Sequence, residues 1–372
     1  MSDNFNYKGY EDYFRELEGD IENSSASSKT PVKRTEAPHK RKRKKGVFKV
    51  VRFRKSAIIG LFTAILLIVA IFALPWNKIF SSAKMDVSGD GKVEKVEKVE
   101  EANVMNYATS DKTLAIPSSN DAKCAIIVDK SDNTIVAQRN IHTRAYPAST
   151  TKIMTLIVAA ENLKSLDDTF TMTIEITDKV FLEEASAAGF MVGETVTVKD
   201  LLYATILPSG ADGALGIAEK LAGSEAEFVK LMNQKVKELG LKNTNFTNVV
   251  GLHHKENYSS AYDMAIILDY ALKNPLCKEI LSTYQFTTSK TKEHPEGILL
   301  SSTLFSYMYG TEPETATILG GKTGFVNESG YCIASYGTNN ENGNEYIIVT
   351  LGNSARWPAF YGQIDLYKEF AK

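Results

Sequence analysis

Three cysteines are all that 372 residues carry, so Cys124, Cys277 and Cys332 can form at most one pair and leave one thiol over. None has zinc-finger spacing. Cys124 and Cys332 fall in strand-like stretches, where a small buried thiol is the ordinary state. Histidine is equally scarce. His39, His142, His253, His254 and His294 make neither HExxH nor any other plausible ligand pair. A metal-dependent peptidase is disfavoured on that ground. No repeat of domain size is present.

Charge is absent from one long stretch. Ala57 to Leu74 holds no ionisable residue and would span roughly 27 Å as a helix, close to the hydrocarbon core of a bilayer. Residues 1–83 carry 16 Lys and Arg against 8 Asp and Glu, a balance of +8, and the remainder comes to −10. The run from Lys40 to Lys45 continues through Lys49, Arg52, Arg54 and Lys55. A nucleic-acid or localisation signal is one reading of that run. The apolar stretch that follows at once makes it the positive flank of a membrane segment, with Trp76 at the far interface. The sequence therefore predicts a disordered cytoplasmic tail over 1–55 and a single-pass anchor over 56–76. A charged extracytoplasmic stalk over 77–120 and a globular domain over 121–372 follow. Ser81-Ser82-Ala83 is a competing site for signal-peptide cleavage. Tyr7, Tyr10, Tyr13 and Phe14 stand out in the polar tail, where a solvated segment is the simple expectation.

Within 121–372 the patterns alternate between periods. Ala122–Asp129 and Asn133–Arg139 read as a hairpin with Ser131-Asp132 in its turn. Thr150 to Leu163 reads as a helix, Thr169 to Ile176 and Thr195 to Val198 as strands. Helical periodicity covers Lys199–Ile206, Asp212–Leu221, Glu225–Leu239 and Ala261–Leu272. Strands return at Thr317–Lys322, Tyr331–Tyr336 and Tyr346–Leu351, before a helix over Ala359–Phe370. The simplest arrangement is one sheet built from both ends of the domain, with a helical insertion between.

Chemistry concentrates at two separated places. Ser149-Thr150-Thr151-Lys152 opens the first apolar helix. Ser and Lys three apart share a helix face, so Lys152 can serve as the base that a serine nucleophile needs. The helix N-terminus disfavours a cation by roughly 0.3–1 kcal/mol and favours negative charge on an attacked carbonyl. Ser-x-x-Lys alone is weak: roughly one or two matches are expected by chance at this length. Ser81–Lys84 and Ser289–Lys292 also fit, but neither opens an apolar helix. Lys322-Thr323-Gly324 occurs once, where roughly a tenth of a match is expected. Alone, it also fits an edge strand ending in a glycine turn.

These stretches resemble the low-molecular-mass penicillin-binding proteins that act as serine-type D-alanyl-D-alanine carboxypeptidases. The likeness runs through Pro147 to Thr155, Leu207-Pro208-Ser209-Gly210-Ala211-Asp212, Ser260 to Ala265, and Gly321 to Phe325 with Gly330-Tyr331-Cys332. It implies an α+β, penicillin-binding/serine β-lactamase-like domain with an antiparallel sheet flanked by helices and a helical subdomain. Joined to the anchor expected from the apolar span, it implies an enzyme at the bacterial cell membrane with its catalytic domain outside the cytoplasm. By that resemblance Ser149 is the nucleophile, Lys152 its base and Ser209 the proton shuttle. Lys322 and Thr323 hold the substrate carboxylate, and Gly324 and Phe325 lie along the substrate, with the N–H groups of Ser149 and Phe325 as oxyanion hole. Peptidoglycan stem peptides are the implied partners and β-lactam antibiotics covalent inhibitors. Neither a cofactor nor nucleic acid is implied.

Two departures stand out. Ala211 replaces the Asn of the second motif, removing one polar anchor. No arginine lies between Leu281 and Lys322, so carboxylate binding leans on Lys322 and Thr323, with Arg356 the other candidate. Other readings of single residues compete: Ser209 as a helix cap, Tyr262-Asp263 as helix-positioning groups, His253-His254 as a surface loop. A wall-peptide-binding module without turnover is the alternative that Ala211 motivates. A class A β-lactamase fits less well, lacking Ser-Asp-Asn and a counterpart of the deacylating glutamate.

Overall fold

Alternate residues of the central strands enter two different cores, and this fixes the architecture. The computed structural model describes residues 106–372, except Tyr309 and Glu312. The expected tail, the apolar span at 57–74 and most of the stalk lie outside the described residues.

The described residues open with a short strand β1 (Leu114–Ala115) and the hairpin β2 (Cys124–Asp129) and β3 (Thr134–Arg139). A 3-10 turn (Ala148–Thr151) leads into helix α1 (Lys152–Asn162). Next come β4 (Thr169–Thr171), α2 (Ile174–Leu182), β5 (Thr195–Thr197), α3 (Val198–Ile206), α4 (Ala211–Ala222) and α5 (Glu225–Glu238). After α6 (Ala261–Lys273) and α7 (Pro275–Leu281), strands β6 (Gln285–Thr287) and β7 (Leu299–Ser301) form a small hairpin ahead of α8 (Thr303–Met308). Strands β8 (Ala316–Val326), β9 (Gly330–Asn339) and β10 (Glu345–Asn353) and helix α9 (Arg356–Phe370) complete the order.

Six strands make one sheet in the order β1-β3-β2-β10-β9-β8, with the two ends of the domain meeting where β10 pairs with β2. The expected antiparallel sheet is corrected to a mixed one, because β1 runs parallel to β3. Ile126, Val128, Ile347 and Val349 face a core shared with α1, α3 and α6. Ala125, Ile127 and Ile348 face the other way, against Phe360, Ile364 and Tyr367 of α9. A strand buried on both faces reads as a continuous apolar run, as β2 does.

Residues before 121 also pack on this domain. Tyr107 is buried and donates its hydroxyl to Ala265 O at 3.3 Å. The Arg139 guanidinium donates to the carbonyls of Ile116, Pro117, Asn120 and Ala122 at 2.6–3.0 Å, fastening that segment to the sheet.

The strand expected over Thr169–Ile176 stops at Thr171. The Thr173 hydroxyl accepts from Ile176 N and starts α2 instead. Helix α7 was missed although Asn274 caps it and Pro275 occupies its first position.

Candidate active site

The first-motif serine sits in the 3-10 turn rather than in the α-helix, which begins only at Lys152. Side chains three apart eclipse one another in a 3-10 turn. Lys152 Nζ accordingly lies 3.0 Å from Ser149 Oγ and donates to the carbonyl of Val250 at 2.7 Å. Ser149 Oγ is 3.5 Å from the same carbonyl. Asn248 builds the turn that presents it: Asn248 Oδ1 accepts from the N–H groups of Val250, Gly251 and Leu252 at 2.6–3.2 Å. Thr155 Oγ1 ties the adjacent carbonyl of Val249 to α1 at 2.7 Å. Gly251 has φ +86°, and a Cβ there would lie 1.9 Å from Ala148 O. Ala148 itself holds φ +48°, a conformation that alanine rarely adopts, immediately before the serine.

Two lysines are buried together. Lys152 is 2% exposed and Lys322 1%. Burial lowers the Lys152 pKa to about 7, against a counter-effect from the Asp212 carboxylate. Burial, reinforced by repulsion from Lys152, holds Lys322 well below the usual lysine range. Among the described residues neither forms an ion pair. Lys322 Nζ donates to Thr323 O at 2.8 Å.

Asp212 is committed elsewhere. Its carboxylate accepts from the backbone N–H groups of Ala188, Gly189, Phe190 and Gly213 at 2.9–3.3 Å. It clamps the loop after α2 to the start of α4. Ala211 N donates to Ser186 O of that loop at 2.7 Å. Asp212 therefore does not stand in for the missing Asn side chain at Ala211.

Ser209 is not a helix cap: Gly210 occupies that position, without a side-chain bond. Ser209 holds φ +66°, and its Oγ is buried with no hydrogen-bond partner among the described residues. A buried hydroxyl left unpaired is costly. Gly324 of β8 faces the nucleophile turn, since a Cβ there would stand 2.7 Å from Ser149 N and 3.0 Å from Thr150 N. β8 is indeed an edge strand, and its open edge meets the serine turn at Gly324. Phe325 is 48% exposed and stacks on Tyr331, with ring centroids 4.3 Å apart. Thr323 Oγ1 is 2.6 Å from Thr303 Oγ1. Arg356 lies over the Tyr307 ring at 5.1 Å.

A sequence profile described as D-alanyl-D-alanine carboxypeptidase (peptidase S11) matches residues 110–355, about two thirds of the chain. The chain belongs to this family. It is 34% identical over 235 residues to the D-alanyl-D-alanine carboxypeptidase DacF of Bacillus subtilis, covering 62% of this chain and 57% of that one. It is 30% identical to the D-alanyl-D-alanine carboxypeptidase of Streptomyces sp. strain K15, covering 62% of this chain and 80% of the relative. Among solved structures, penicillin-binding protein 5 from Haemophilus influenzae superposes with a TM-score of 0.61 at 30% identity, over 68% of this chain and 71% of its own. The Streptomyces K15 DD-transpeptidase gives 0.58 at 28% identity, over 67% and 97%. The chain spans little more than half the length of the first curated relatives, 57% and 56%.

The fold brings Ser149, Lys152, Lys322, Thr323 and Gly324 into one site, with 172 residues of sequence between Ser149 and Lys322. His253 and His254 are exposed, His253 packing edge-on against Tyr146. Asp263 holds Asn243 N and Thr244 Oγ1 at 2.8 Å, so the Tyr262-Asp263 pair positions α6 and the chain before it. Asn248, Val250, Gly251 and Thr303 escaped the sequence reading. Val250 contributes only its carbonyl, which no side-chain pattern marks. The Asn-x-x-Gly spacing at 248–251 was the available signal.

Proposed function

We propose that this protein is a serine-type D-Ala-D-Ala carboxypeptidase that removes the terminal D-alanine of peptidoglycan stem peptides through an acyl-enzyme. The observation that carries the reading is a buried lysine with its pKa lowered to about 7, 3.0 Å from a serine hydroxyl. At neutral pH about half of Lys152 is then an uncharged amine able to take the Ser149 proton. Ser149 Oγ attacks the carbonyl between the two D-alanines, and its proton passes to Lys152 Nζ. The developing oxyanion meets the N–H groups of Ser149 and Phe325, each donor contributing about 3 kcal/mol by analogy with other acyl-transfer sites. Cleavage of the C–N bond sends the proton on to the departing amine, with Ser209 in the path. Water then attacks the ester and restores Ser149. Lys322 and Thr323 receive the substrate's terminal carboxylate. β-Lactams would acylate the same serine.

The same proposal includes the membrane. The uncharged span at 57–74, flanked by ten Lys and Arg between residues 40 and 55, supports a single helix with the N-terminus in the cytoplasm. The domain from about residue 107 would then work outside the cytoplasm, at the bacterial cell membrane.

Mass spectrometry of a stem pentapeptide incubated with the full chain tests the reaction. The wild type should convert it to the tetrapeptide, and Ser149→Ala should not. Absence of product with the wild type, alongside labelling of Ser149 by a fluorescent penicillin, would instead mark a wall-peptide-binding module without turnover.

A further inference from the structure

The hydroxyls of Thr303 and Thr323 lie 2.6 Å apart, and between them they own two protons. One proton lies in the bond that joins the two oxygens. Neither oxygen makes any other hydrogen bond among the described residues, so the second proton has no acceptor in the protein. Both side chains are half-buried, and Thr323 is the residue between the buried Lys322 and the glycine that abuts Ser149 N. A spare donor at such a place suits an anion.

Lys322 alone is poorly placed to supply that donor. It is 1% exposed, its Nζ is engaged by Thr323 O at 2.8 Å, and no arginine lies between residues 281 and 322. Thr303 is fixed from the other side as well. Its backbone N–H donates to Leu207 O at 3.0 Å, two residues before Ser209. One residue therefore joins the segment carrying the second-motif serine to the strand carrying the third motif.

We propose that Thr303 is a positioning residue for substrate recognition. It locks the Thr323 hydroxyl so that the pair presents one O–H to the terminal carboxylate of the substrate, in the absence of an arginine there. This inference rests on the serine-enzyme reading above. A carboxylate that accepts such a bond gains a charge-assisted contact, stronger than one between neutral groups.

The test compares acylation of Ser149 in the full chain by benzylpenicillin and by its methyl ester, which lacks the carboxylate. Thr303→Val keeps the shape and removes the hydroxyl, whereas Thr303→Ser keeps the hydroxyl. In Thr303→Val the acid-to-ester rate ratio should fall about tenfold, with the ester rate itself unchanged, and Thr303→Ser should restore the ratio. An unchanged ratio in Thr303→Val, or an equal loss with both reagents, would overturn the proposal and leave the enzyme reading standing. A wild type acylated by neither reagent would overturn the serine-enzyme reading and this inference with it.

Discussion

Ala211 is the residue at which this chain parts from its family's motif, and the structure shows what the substitution leaves behind. The methyl side chain offers nothing to Lys152 or to a substrate carbonyl, and Asp212 beside it is occupied by backbone N–H groups. Ala211→Asn should therefore accelerate acylation roughly tenfold, the effect of one good hydrogen bond of about 1.4 kcal/mol. Stopped-flow measurement with a chromogenic penicillin checks this, and an unchanged or lower rate would count against it. Lys152 makes a second prediction. Its folded pKa is depressed to about 7, so the unfolded chain binds the extra proton between about pH 7 and the ordinary lysine value near 10.4. Stability from this group is lost below that window and rises with pH across it. Lys152→Met should flatten the rise, seen as a smaller difference between urea midpoints at pH 7 and pH 8.5. An identical difference in both proteins would contradict the burial argument.

Among the elements, the loop after α2 depends on one carboxylate. Asp212→Ala would strand the N–H groups of Ala188, Gly189 and Phe190, at a cost of about 1–3 kcal/mol for an unsatisfied group. It would also remove the charge that holds the Lys152 pKa up, moving the midpoint of the acylation profile to lower pH. Urea unfolding and a pH series read the two effects separately. Gly251→Ala should destabilise by more than the usual ~1 kcal/mol of a glycine effect, because its Cβ meets Ala148 O at 1.9 Å. At this scale the sequence was legible where pattern and packing agree. Strands β2, β3, β9 and β10 and helices α3 to α6 appear within a few residues of expectation, since each buries one or two consistent faces. It misled at Thr169–Ile176, where β-branched alternation looks like a strand until the Thr173 cap turns the chain into α2. The approach of Lys152 to Ser149 was readable from their spacing. The Val250 carbonyl and the Thr303 hydroxyl were not, because their partners are distant in sequence and one of them is backbone.

For the whole molecule, the boundary of the folded domain is a prediction in itself. Tyr107, β1 and the carbonyls gripped by Arg139 belong to it. A chain beginning at residue 106 should therefore melt several degrees above one beginning at 121, as calorimetry would show; equal melting would place the boundary back at 121. If the apolar span anchors the protein, the full chain should sediment with membranes, and protease should reach the domain only from the extracytoplasmic side. The central claim is that a buried lysine, neutral near pH 7, activates Ser149. The most direct measurement is the rate of penicillin acylation from pH 5.5 to 9.5, with the labelled residue mapped by mass spectrometry. The account predicts a label on Ser149 and a rate that climbs through a midpoint near 7 to a plateau. A label elsewhere, or a midpoint near the ordinary lysine value of about 10.4, would contradict it.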